Sequence, residues 1–543
     1  MATMGDGVME GEKRPSIPDG ERKMSLQDLA DADDVVITMN GQIINASGHK
    51  DQLQRQYGLL SICGLALTVD NAWVALGTSL AVSIYNGGPP GIIWELWIAA
   101  FYYLFINASI AELASSVPSA GGVYHWASIT PGPKWGRSVG FFAGALNYFG
   151  WLFDLASIAY IMSELCVQMY FLYHPNYVIQ PWNIFVALLL ITILCVSVTI
   201  FFNGILPYLQ HFGLFIVTIG GIITIIVLAA MPSSHASTSF VWTDFQNDTG
   251  WSGGVAFLTG VLNGAFTIGT PDAVTHMAEE LPNPKRDLPK AIFAQLGLGF
   301  IYAFCFAIAL FYGVSDLTAV QTSNGSFPLA QAYYQATGST AATFGLLFII
   351  FLSLTPCLIG TFLTVGRTWW ALARDNAVPF SGFFGRANER LSCPVEATLL
   401  TGLMTIGLGA ITLGSKTAFT DLAGSFIILS STSYALAFAP NMFTGRKYMP
   451  AGPFYMGKWG YAVNGIATCF IIFFNILYCF PYALPTTTAA MNYNSVILAG
   501  VLFLTTFWWL VHAMKKYDGP NVQGMVEANM AAARRASRAA SKA

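Results

Sequence analysis

The stretch from Gly253 to Pro289 reads GGVAFLTGVLNGAFTIGTPDAVTHMAEELPNPKRDLP, and it decides the fold. Its first half is apolar enough to enter a bilayer, but Gly269 and Pro271 interrupt it where a helix would be deepest, and Asp272 follows at once. Glycine tolerates unwinding and proline lacks a backbone donor, and irregular backbone at membrane depth persists only in protein or beside a cavity. A broken membrane helix with an adjacent carboxylate is typical of a transporter's substrate site. The alternative is a proline-kinked helix with a structural cap.

The composition is that of an integral membrane protein. Of the 543 residues, 55% are hydrophobic and 10% are charged, whereas a soluble domain carries about 25% charged residues. The formal net charge of −3 indicates no nucleic-acid partner. The 8 cysteines are scattered through the chain and form neither a disulfide framework nor a metal-ligand spacing. We therefore expect no metal and no cofactor.

Hydropathy divides the chain into three parts. We expect residues 1–56 to form a disordered cytosolic tail, residues 57–514 to form a transporter domain, and residues 515–543 to form a cytosolic C-terminal tail. The domain contains twelve apolar segments near the roughly 20 residues that cross a bilayer, which predicts an all-α membrane protein with 12 transmembrane helices. The predicted spans are Leu59–Ile84, Gly91–Ala114, Val139–Tyr173, Asn183–Ile200, Leu206–Met231, Gly253–Ala273, Ala291–Tyr312, Thr340–Trp370, Val395–Leu413, Phe419–Pro440, Tyr461–Tyr482 and Val496–Met514.

Basic residues predict the orientation. If the chain crosses the membrane twelve times, all of the 25 lysines and arginines except Lys416 lie on the same side of it. Because lysine and arginine accumulate on the cytosolic side, both termini are predicted to be cytosolic. Two glycosylation sequons, at Asn247 and Asn324, then fall on the outer side, where we predict modification.

Span 1 contains a second interruption. Asp70 and Asn71 lie near its middle, and a carboxylate at the centre of a membrane helix costs about 2.5–3.5 kcal/mol on insertion scales. Such a group faces a cavity or a partner on another helix. Spans 1 and 6 occupy equivalent positions in a five-plus-five inverted repeat, and paired interrupted segments mark a midplane binding site.

Other residues extend this candidate site. Trp151 and Asp154 share a helix face and suit an organic cation, although membrane tryptophans also serve as plain packing. Phe266, beside the second break, is a candidate aromatic lid. Ser353 and Ser430 offer hydroxyls at mid-depth, but such hydroxyls often bond back to their own backbone.

Two acidic groups near the predicted inner surface have alternative interpretations. Glu112 either steadies an inner gate and moves protons or forms a helix-end ion pair. His276, Glu279 and Glu280, which we assign to the inner loop, superficially suggest a metal or hydrolase site. They lack the second histidine that a zinc helix requires, so we do not expect an enzyme.

Three runs of sequence carry a family resemblance. ELASSVPSAGGVYHW at 112–126, ELPNPKRDLPKAI at 280–292 and RTWWALARDNAVP at 367–379 resemble the amino acid–polyamine–organocation superfamily. Within it, TGWSGGVAFLTGVLNGAF, DAVTHMAEE and GPFYMGKWGYAVN are similar to the fungal amino acid/choline transporter family, which includes choline and ethanolamine permeases with GABA permeases as close relatives. The resemblance covers roughly residues 50–515.

The resemblance implies a LeuT-type fold, a substrate held between spans 1, 3, 6, 8 and 10, and proton-coupled uptake at the plasma membrane. It places Asn71 to Ala75 at the unwound part of span 1, Phe266 at a gating aromatic position and Asp272 near an acidic position linked to ion coupling. Two departures bear on the ligand. Asp70 stands where choline-type relatives carry a small hydroxyl residue, and Phe266 replaces tryptophan.

The sequence thus predicts a secondary transporter, a proton symporter of a small amine-bearing solute such as choline, GABA or another amino acid. One alternative is a permease of a fungal metabolite pathway that moves an alkaloid-like or amino-acid-like compound, either as an importer or as an exporter. Another is a non-transporting sensor. The predicted ion-coupling residues are Asp272 and Glu112. The predicted substrate contacts are Asp70, Asn71, Ala72, Trp73, Trp151, Asp154, Phe266, Thr267, Ser353 and Ser430.

Overall fold

The computed structural model describes residues 57–322, 327–388, 390–415, 417–488 and 491–520. It also gives the backbone of a short antiparallel strand pair, Val36–Ile37 with Ile43–Ile44. The rest of the predicted N-terminal tail, the sequon asparagine Asn324, and residues 521–543 of the predicted C-terminal tail lie outside the described residues.

Within the described ranges, twelve helices are long and apolar enough to cross a membrane. In chain order, spans 1 to 12 are Leu59–Thr78, Leu80–Ser116, Gly136–Phe171, Pro181–Phe201, Asn203–Ala230, Gly253–Glu280, Pro284–Gly313, Thr340–Arg374, Val395–Leu413, Ala418–Phe443, Trp459–Leu477 and Asn494–Lys516. The prediction of an all-α membrane protein with twelve spans is confirmed.

Shorter helices join the spans or form parts of them. The connecting helices are Val123–Ile129, Thr238–Trp242, Leu317–Gln321, Pro328–Thr337 and Ser381–Phe384. Spans 5, 9 and 12 change helical pitch along their length. Their parts are Asn203–Ile205, Leu206–Phe215, Ile216–Gly220 and Gly221–Ala230 in span 5, Val395–Gly409 and Ala410–Leu413 in span 9, and Asn494–Trp508, Trp509–Ala513 and Met514–Lys516 in span 12.

Span 1 is broken at a single asparagine. Helix Leu59–Asp70 ends at Asn71, whose φ of 40° and ψ of 44° are left-handed, and helix Ala72–Thr78 begins directly after it. Asparagine is one of the few residues that adopt this conformation routinely. The predicted break is therefore present, and it removes helical partners from carbonyl groups at the end of the first helix and from amide groups at the start of the second.

Span 6 is broken over a longer segment. Helix Gly253–Ile268 gives way to irregular backbone, after which Ala273–Glu280 continues as a 3₁₀-helix. The sequence interpretation that ended this span at Ala273 and put His276, Glu279 and Glu280 in the inner loop is wrong. All eight residues of the 3₁₀-helix are buried. Such a polar segment can be buried because partners on other helices satisfy its charges.

The packing of the spans has the symmetry of an inverted repeat. Span 2 packs against span 6, and span 7 packs against span 1. Span 3 contacts spans 9 and 10, whereas span 8 contacts spans 4 and 5. If each of spans 1 to 5 is exchanged with the span five places later in the chain, the same set of contacts results. This exchange makes the two broken helices, spans 1 and 6, equivalent to each other. This is the LeuT-type arrangement that the sequence predicted.

The contact between spans 2 and 6 depends on small residues. A Cβ atom at Gly264 would lie 2.8 Å from the Cβ of Ala99 and 3.0 Å from the backbone oxygen of Glu95. We expect Gly264→Ala to lower the stability of the folded protein by about 1–3 kcal/mol, because an added group in a packed core forces backbone shifts. Thermal denaturation of detergent-solubilised protein measures this.

The matched control for that substitution is Gly254→Ala in the same helix, where an added Cβ meets nothing within 4 Å. We expect this variant to be neutral or slightly stabilising, since alanine is a better helix former than glycine. Equal melting temperatures for the two variants would contradict a tight contact at Gly264.

Candidate functional site

The two breaks lie side by side and are joined by hydrogen bonds. Thr270, in the irregular part of span 6, donates its hydroxyl to Asp70 Oδ1 at 2.9 Å, and Gln295 of span 7 donates to the same oxygen at 2.8 Å. On the other side of the span 1 break, Ser353 of span 8 donates to Asn71 Oδ1 at 2.9 Å. Spans 1, 6, 7 and 8 thus meet at this level of the protein.

The Asp70 carboxylate faces span 7. A Cβ atom at Gly299 would lie 2.6 Å from Asp70 Oδ2 and 3.2 Å from the Cβ of Ala72, so this glycine makes room for both residues. Asp70 is 4% exposed, and its Oδ2 has no hydrogen-bond partner among the described residues. Its bonds to Thr270 and Gln295 make Asp70 a link between the broken spans.

Asp272 is the centre of a second polar group. Its Oδ2 accepts hydrogen bonds from Asn147 Nδ2 at 2.7 Å and from Trp151 Nε1 at 3.1 Å, both on span 3. Its Oδ1 accepts from the Tyr434 hydroxyl of span 10 at 2.5 Å, and His276 Nε2 lies 3.5 Å from Oδ2. Asp272 is fully buried. The carboxylate therefore holds spans 3, 6 and 10 together.

Asp154 differs from these two acids because little is bonded to it. It is 2% exposed, and its Oδ2 has no hydrogen-bond partner in the described parts of the chain. It lies close enough to Asp70 and Asp272 to interact electrostatically with both. The thiol of Cys357 contacts the carbonyl oxygen of Val69 at 3.3 Å. The same thiol interacts electrostatically with both Asp154 and Asp70. Asp154 therefore lies beside the break in span 1.

Among the described residues, the basic side chain beside the three acids is His276, which lies 3.5 Å from Asp272. In the described ranges, no lysine or arginine makes an ion pair or hydrogen bond with Asp70, Asp154 or Asp272. The buried arginines are paired elsewhere, near the ends of the even-numbered spans. These pairs are Arg367 with Glu280 at 3.1 Å, Arg374 with Glu279 at 3.1 Å, and Arg446 with Glu112. The acidic centre therefore has no lysine or arginine in contact with it within the described residues.

An aromatic wall borders the acidic centre. Phe266, which is 5% exposed, makes edge contacts with Phe419 and Phe426 of span 10 at ring-centroid distances of 6.3 and 6.4 Å. Trp151 lies 5.4 Å from Phe426. Phe266 and Trp151 thus share a neighbour, and aromatic faces next to carboxylates form an environment that attracts organic cations.

Several predicted substrate contacts bond elsewhere. Trp73 donates its Nε1 to the Val217 carbonyl oxygen at 3.0 Å and packs against Phe306, so it is directed toward spans 5 and 7. Thr267 and Ser430 donate to carbonyl oxygens of their own helices, at 2.8 and 2.7 Å. The structure does not bring these three side chains into the hydrogen bonds of the acidic centre.

Glu112 forms an ion pair rather than part of the central group. Its Oε1 accepts hydrogen bonds from the Arg446 guanidinium and from the backbone amide of Met456, the latter at 2.8 Å. This is the helix-end pair that the sequence left open as an alternative. Ion coupling by Glu112 and by Asp272 stays a prediction.

Sequence reasoning missed four residues of the central groups. They are Asn147, Thr270, Gln295 and His276. Asn147 precedes Trp151 by four residues in a long apolar helix, so a shared polar face was a usable signal. Gln295 is a polar residue inside an apolar span, which is a functional indicator in a membrane protein. His276 was misplaced because its span was ended too early.

Comparison with known proteins agrees with this geometry. The Amino acid permease family model matches residues 57–503. The chain is 31% identical to the choline transporter of Saccharomyces cerevisiae over 467 residues, which are 86% of this chain and 83% of that protein. It is 26% identical to the GABA-specific permease of the same yeast, with 89% and 86% covered. It is 25% identical to amino-acid permease BAT1 of Arabidopsis thaliana, with 90% and 97% covered.

Two broken spans around a buried polar centre, the symmetric packing of twelve helices and a family match over most of the chain all lead to one assignment. The chain belongs to the amino acid permease family of the amino acid–polyamine–organocation superfamily, and it is a multi-pass membrane transporter of amino acids or organocations.

Proposed function

We propose that this transporter is a proton symporter that takes up a small organic cation of the choline class across the plasma membrane. The observation that carries the proposal is the group of three buried carboxylates, Asp70, Asp154 and Asp272, with no lysine or arginine bonded to them in the described residues. A buried carboxylate needs compensation, and a cationic solute supplies it. A zwitterion such as GABA would bring a further carboxylate into a negative site.

The Asp154 carboxylate is the candidate partner of the substrate's positive group. Asp272 accepts hydrogen bonds on both oxygens, and Asp70 accepts two on Oδ1 while its Oδ2 is packed against Gly299 of span 7. Asp154 Oδ2 also accepts none within the described residues, and no hydrogen bond there directs it toward another span. Phe266 and Trp151 then supply ring faces, and a cation on such a face gains about 0.5–2 kcal/mol. The freed carbonyl groups beside Asn71 orient the rest of the solute. This set selects for charge and size.

Proton coupling supplies the driving force in this proposal. A bound ligand moves an equilibrium between outward-facing and inward-facing states only by the difference in its affinity for the two. Asp272 joins spans 3, 6 and 10 through hydrogen bonds. A proton taken up beside this carboxylate changes the contacts between these spans and thereby favours one state.

Uptake of radiolabelled solutes tests the proposal. We expect yeast that lacks its own choline and amino acid permeases to accumulate labelled choline or a related amine when it expresses this chain, and to do so faster at an external pH of about 5 than at about 7.5. We expect GABA and neutral amino acids to compete poorly. Uptake of a zwitterion with no uptake of any cation would overturn the choice of substrate class. Uptake that is independent of pH would overturn proton coupling.

The proposed orientation has its own test at Asn247. Its Oδ1 accepts hydrogen bonds from the Thr249 amide and hydroxyl, and its Nδ2 donates to the Trp251 carbonyl oxygen at 2.6 Å. This loop precedes span 6 on the predicted outer side. We expect wild-type protein to lose apparent mass on deglycosylation and Asn247→Gln to lose at least part of that shift. An unchanged shift in Asn247→Gln would rule out this sequon.

A further inference from the structure

His276 lies one turn after Asp272 and contacts three elements of the protein. It is 1% exposed. Its Nδ1 is 2.9 Å from the Ala120 carbonyl oxygen and 3.2 Å from the Thr368 hydroxyl of span 8. Its Nε2 is 3.5 Å from Asp272 Oδ2. The imidazole is thus placed between a carbonyl group on one side and a carboxylate on the other.

These contacts determine where the imidazole proton lies. A carbonyl oxygen can only accept, so Nδ1 must carry a hydrogen to bond with Ala120. The Thr368 hydroxyl donates to Thr364 at 2.8 Å and is therefore also an acceptor toward the ring. In a neutral imidazole, Nε2 then presents a lone pair to the Asp272 carboxylate. Consistent with this, Nε2 has no hydrogen-bond partner in the described ranges.

One additional proton changes this repulsive arrangement into an attractive one. Protonated Nε2 faces Asp272 Oδ2 as a donor, and a hydrogen bond between two charged groups is roughly twice as strong as a neutral one. Histidine is also the side chain whose charge changes most readily between pH 5 and 8. The geometry thus gives Nε2 a position at which one added proton is shared with Asp272 Oδ2.

The His276 imidazole lies next to a tight turn. The turn before helix Val123–Ile129 contains Gly122, which has a φ of 47°. A Cβ atom at Gly122 would lie 2.8 Å from the Thr275 hydroxyl and 3.3 Å from His276 Cε1. The carbonyl of Ala120 that binds His276 belongs to the same turn. Any loosening of His276 is therefore transmitted to this turn.

The charged and titratable groups around His276 are few in the described residues. Asp272 faces it directly. Asp272 in turn accepts a hydrogen bond from Tyr434 of span 10 and interacts electrostatically with Tyr103 of span 2 and Asp154 of span 3. On the other side, Glu279 and Glu280 are paired with Arg374 and Arg367, and His125 contacts Asp375 at 3.3 Å. The Asp272–His276 pair is thus separate from the ion pairs that flank it.

We propose that His276 is the proton-carrying residue of this transporter, with Asp272 as its counter-ion. The inference rests on the proton symport proposed above, and it assigns the binding of the coupled proton to the Nε2 atom of His276. One proton from the outer solution binds Nε2 and forms the pair with Asp272 Oδ2. When the turn at Ala120–Gly122 separates from span 6, the same proton leaves Nε2 for the cytosol. One proton accompanies each cationic substrate molecule, so each cycle moves two positive charges.

Assays on reconstituted full-length protein distinguish the coupling of transport to protons from the movement of the solute across the membrane. Proteoliposomes of wild type and His276→Gln are assayed for exchange of labelled choline at equal pH and for accumulation driven by an imposed pH gradient. With a gradient of about 1 unit and the membrane potential held at zero, one coupled proton drives about tenfold accumulation. We expect wild type to approach this value, and His276→Gln to exchange at a reduced but measurable rate while accumulating nothing above equilibrium.

His125→Gln is the matched control, because His125 is equally buried and belongs to the neighbouring helix. We expect its accumulation to respond to the pH gradient as in wild type. Gradient-driven accumulation by His276→Gln equal to wild type would overturn the role of His276. Exchange without any pH response in the wild type would instead overturn the symport itself.

A second variant keeps the proposal testable if His276→Gln does not fold. Thr368→Val removes one acceptor from Nδ1 and leaves the Ala120 carbonyl in place. Because that acceptor favours the protonated ring, we expect the pH profile of coupled uptake to move to lower pH. A hydroxyl with a purely structural role would leave the pH profile of coupled uptake unchanged. A profile identical to wild type would therefore overturn the proposal.

Discussion

Asp154→Asn is expected to abolish uptake of a cationic solute while the protein still reaches the membrane in normal amounts. A unit charge at 4 Å from a carboxylate gains about 4 kcal/mol at an effective dielectric constant of about 20, so apparent affinity should fall at least about 100-fold. The amide has nearly the same shape and is no harder to bury. Initial uptake rates over a range of solute concentrations, normalised to surface protein, give this change directly.

Two companion variants sharpen the result. Glu164→Gln makes the same change of charge ten residues further along span 3, where the carboxylate accepts a hydrogen bond from Tyr160 at 3.4 Å, and we expect wild-type affinity. Asp70→Asn is expected to have an intermediate effect, because Asp70 is directed toward Gln295 and Gly299 of span 7. If Asp154→Asn binds the solute as Glu164→Gln does, the carboxylate is not its partner.

Arg367→Met is expected to destabilise the folded transporter severely. The Arg367 side chain is 1% exposed and that of Glu280 is 2% exposed, with a 3.1 Å ion pair between them. Removing one partner of a buried pair costs about 3–5 kcal/mol, because the remaining charge has no compensation. We expect little protein at the cell surface and a strongly lowered melting temperature in detergent.

The controls for Arg367→Met distinguish the lost pair from the lost side chain. Arg386→Met changes an exposed arginine at the end of a short helix and should alter stability by less than about 0.5 kcal/mol. Combining Arg367→Met with Glu280→Leu removes both charges, and we expect this double variant to recover much of the stability. If Arg367→Met alone melts like Arg386→Met, the pair contributes no net stability.

The broken spans were predictable because their causes are local. Glycine, proline and asparagine at mid-depth have few uses in an unbroken membrane helix, and the charge of Asp70 or Asp272 needs a polar surrounding. Their conformations are encoded within a few residues of chain. The left-handed backbone conformation at Asn71 also has a local cause, because the short polar side chain of asparagine allows a positive φ.

The directions of the side chains were not predictable in the same way. Trp73 and Asp70 are separated by less than a turn, and only the neighbouring spans decide that Trp73 bonds to Val217 and Asp70 to Gln295. The inner half of span 6 was missed because a run of polar residues after an apolar segment is typical of a loop. Its burial depends on arginines supplied from span 8, almost a hundred residues later.

The hydrogen bonds from Thr270 and Gln295 to one oxygen of Asp70 have a mechanical consequence. They fasten the two interrupted helices to each other and to span 7, so neither interruption can shift independently of its counterpart. A pore requires both ends to be open together, whereas parts that move as one body expose a compartment to one solution at a time. The rate of transport is then set by how often this body moves between the two solutions.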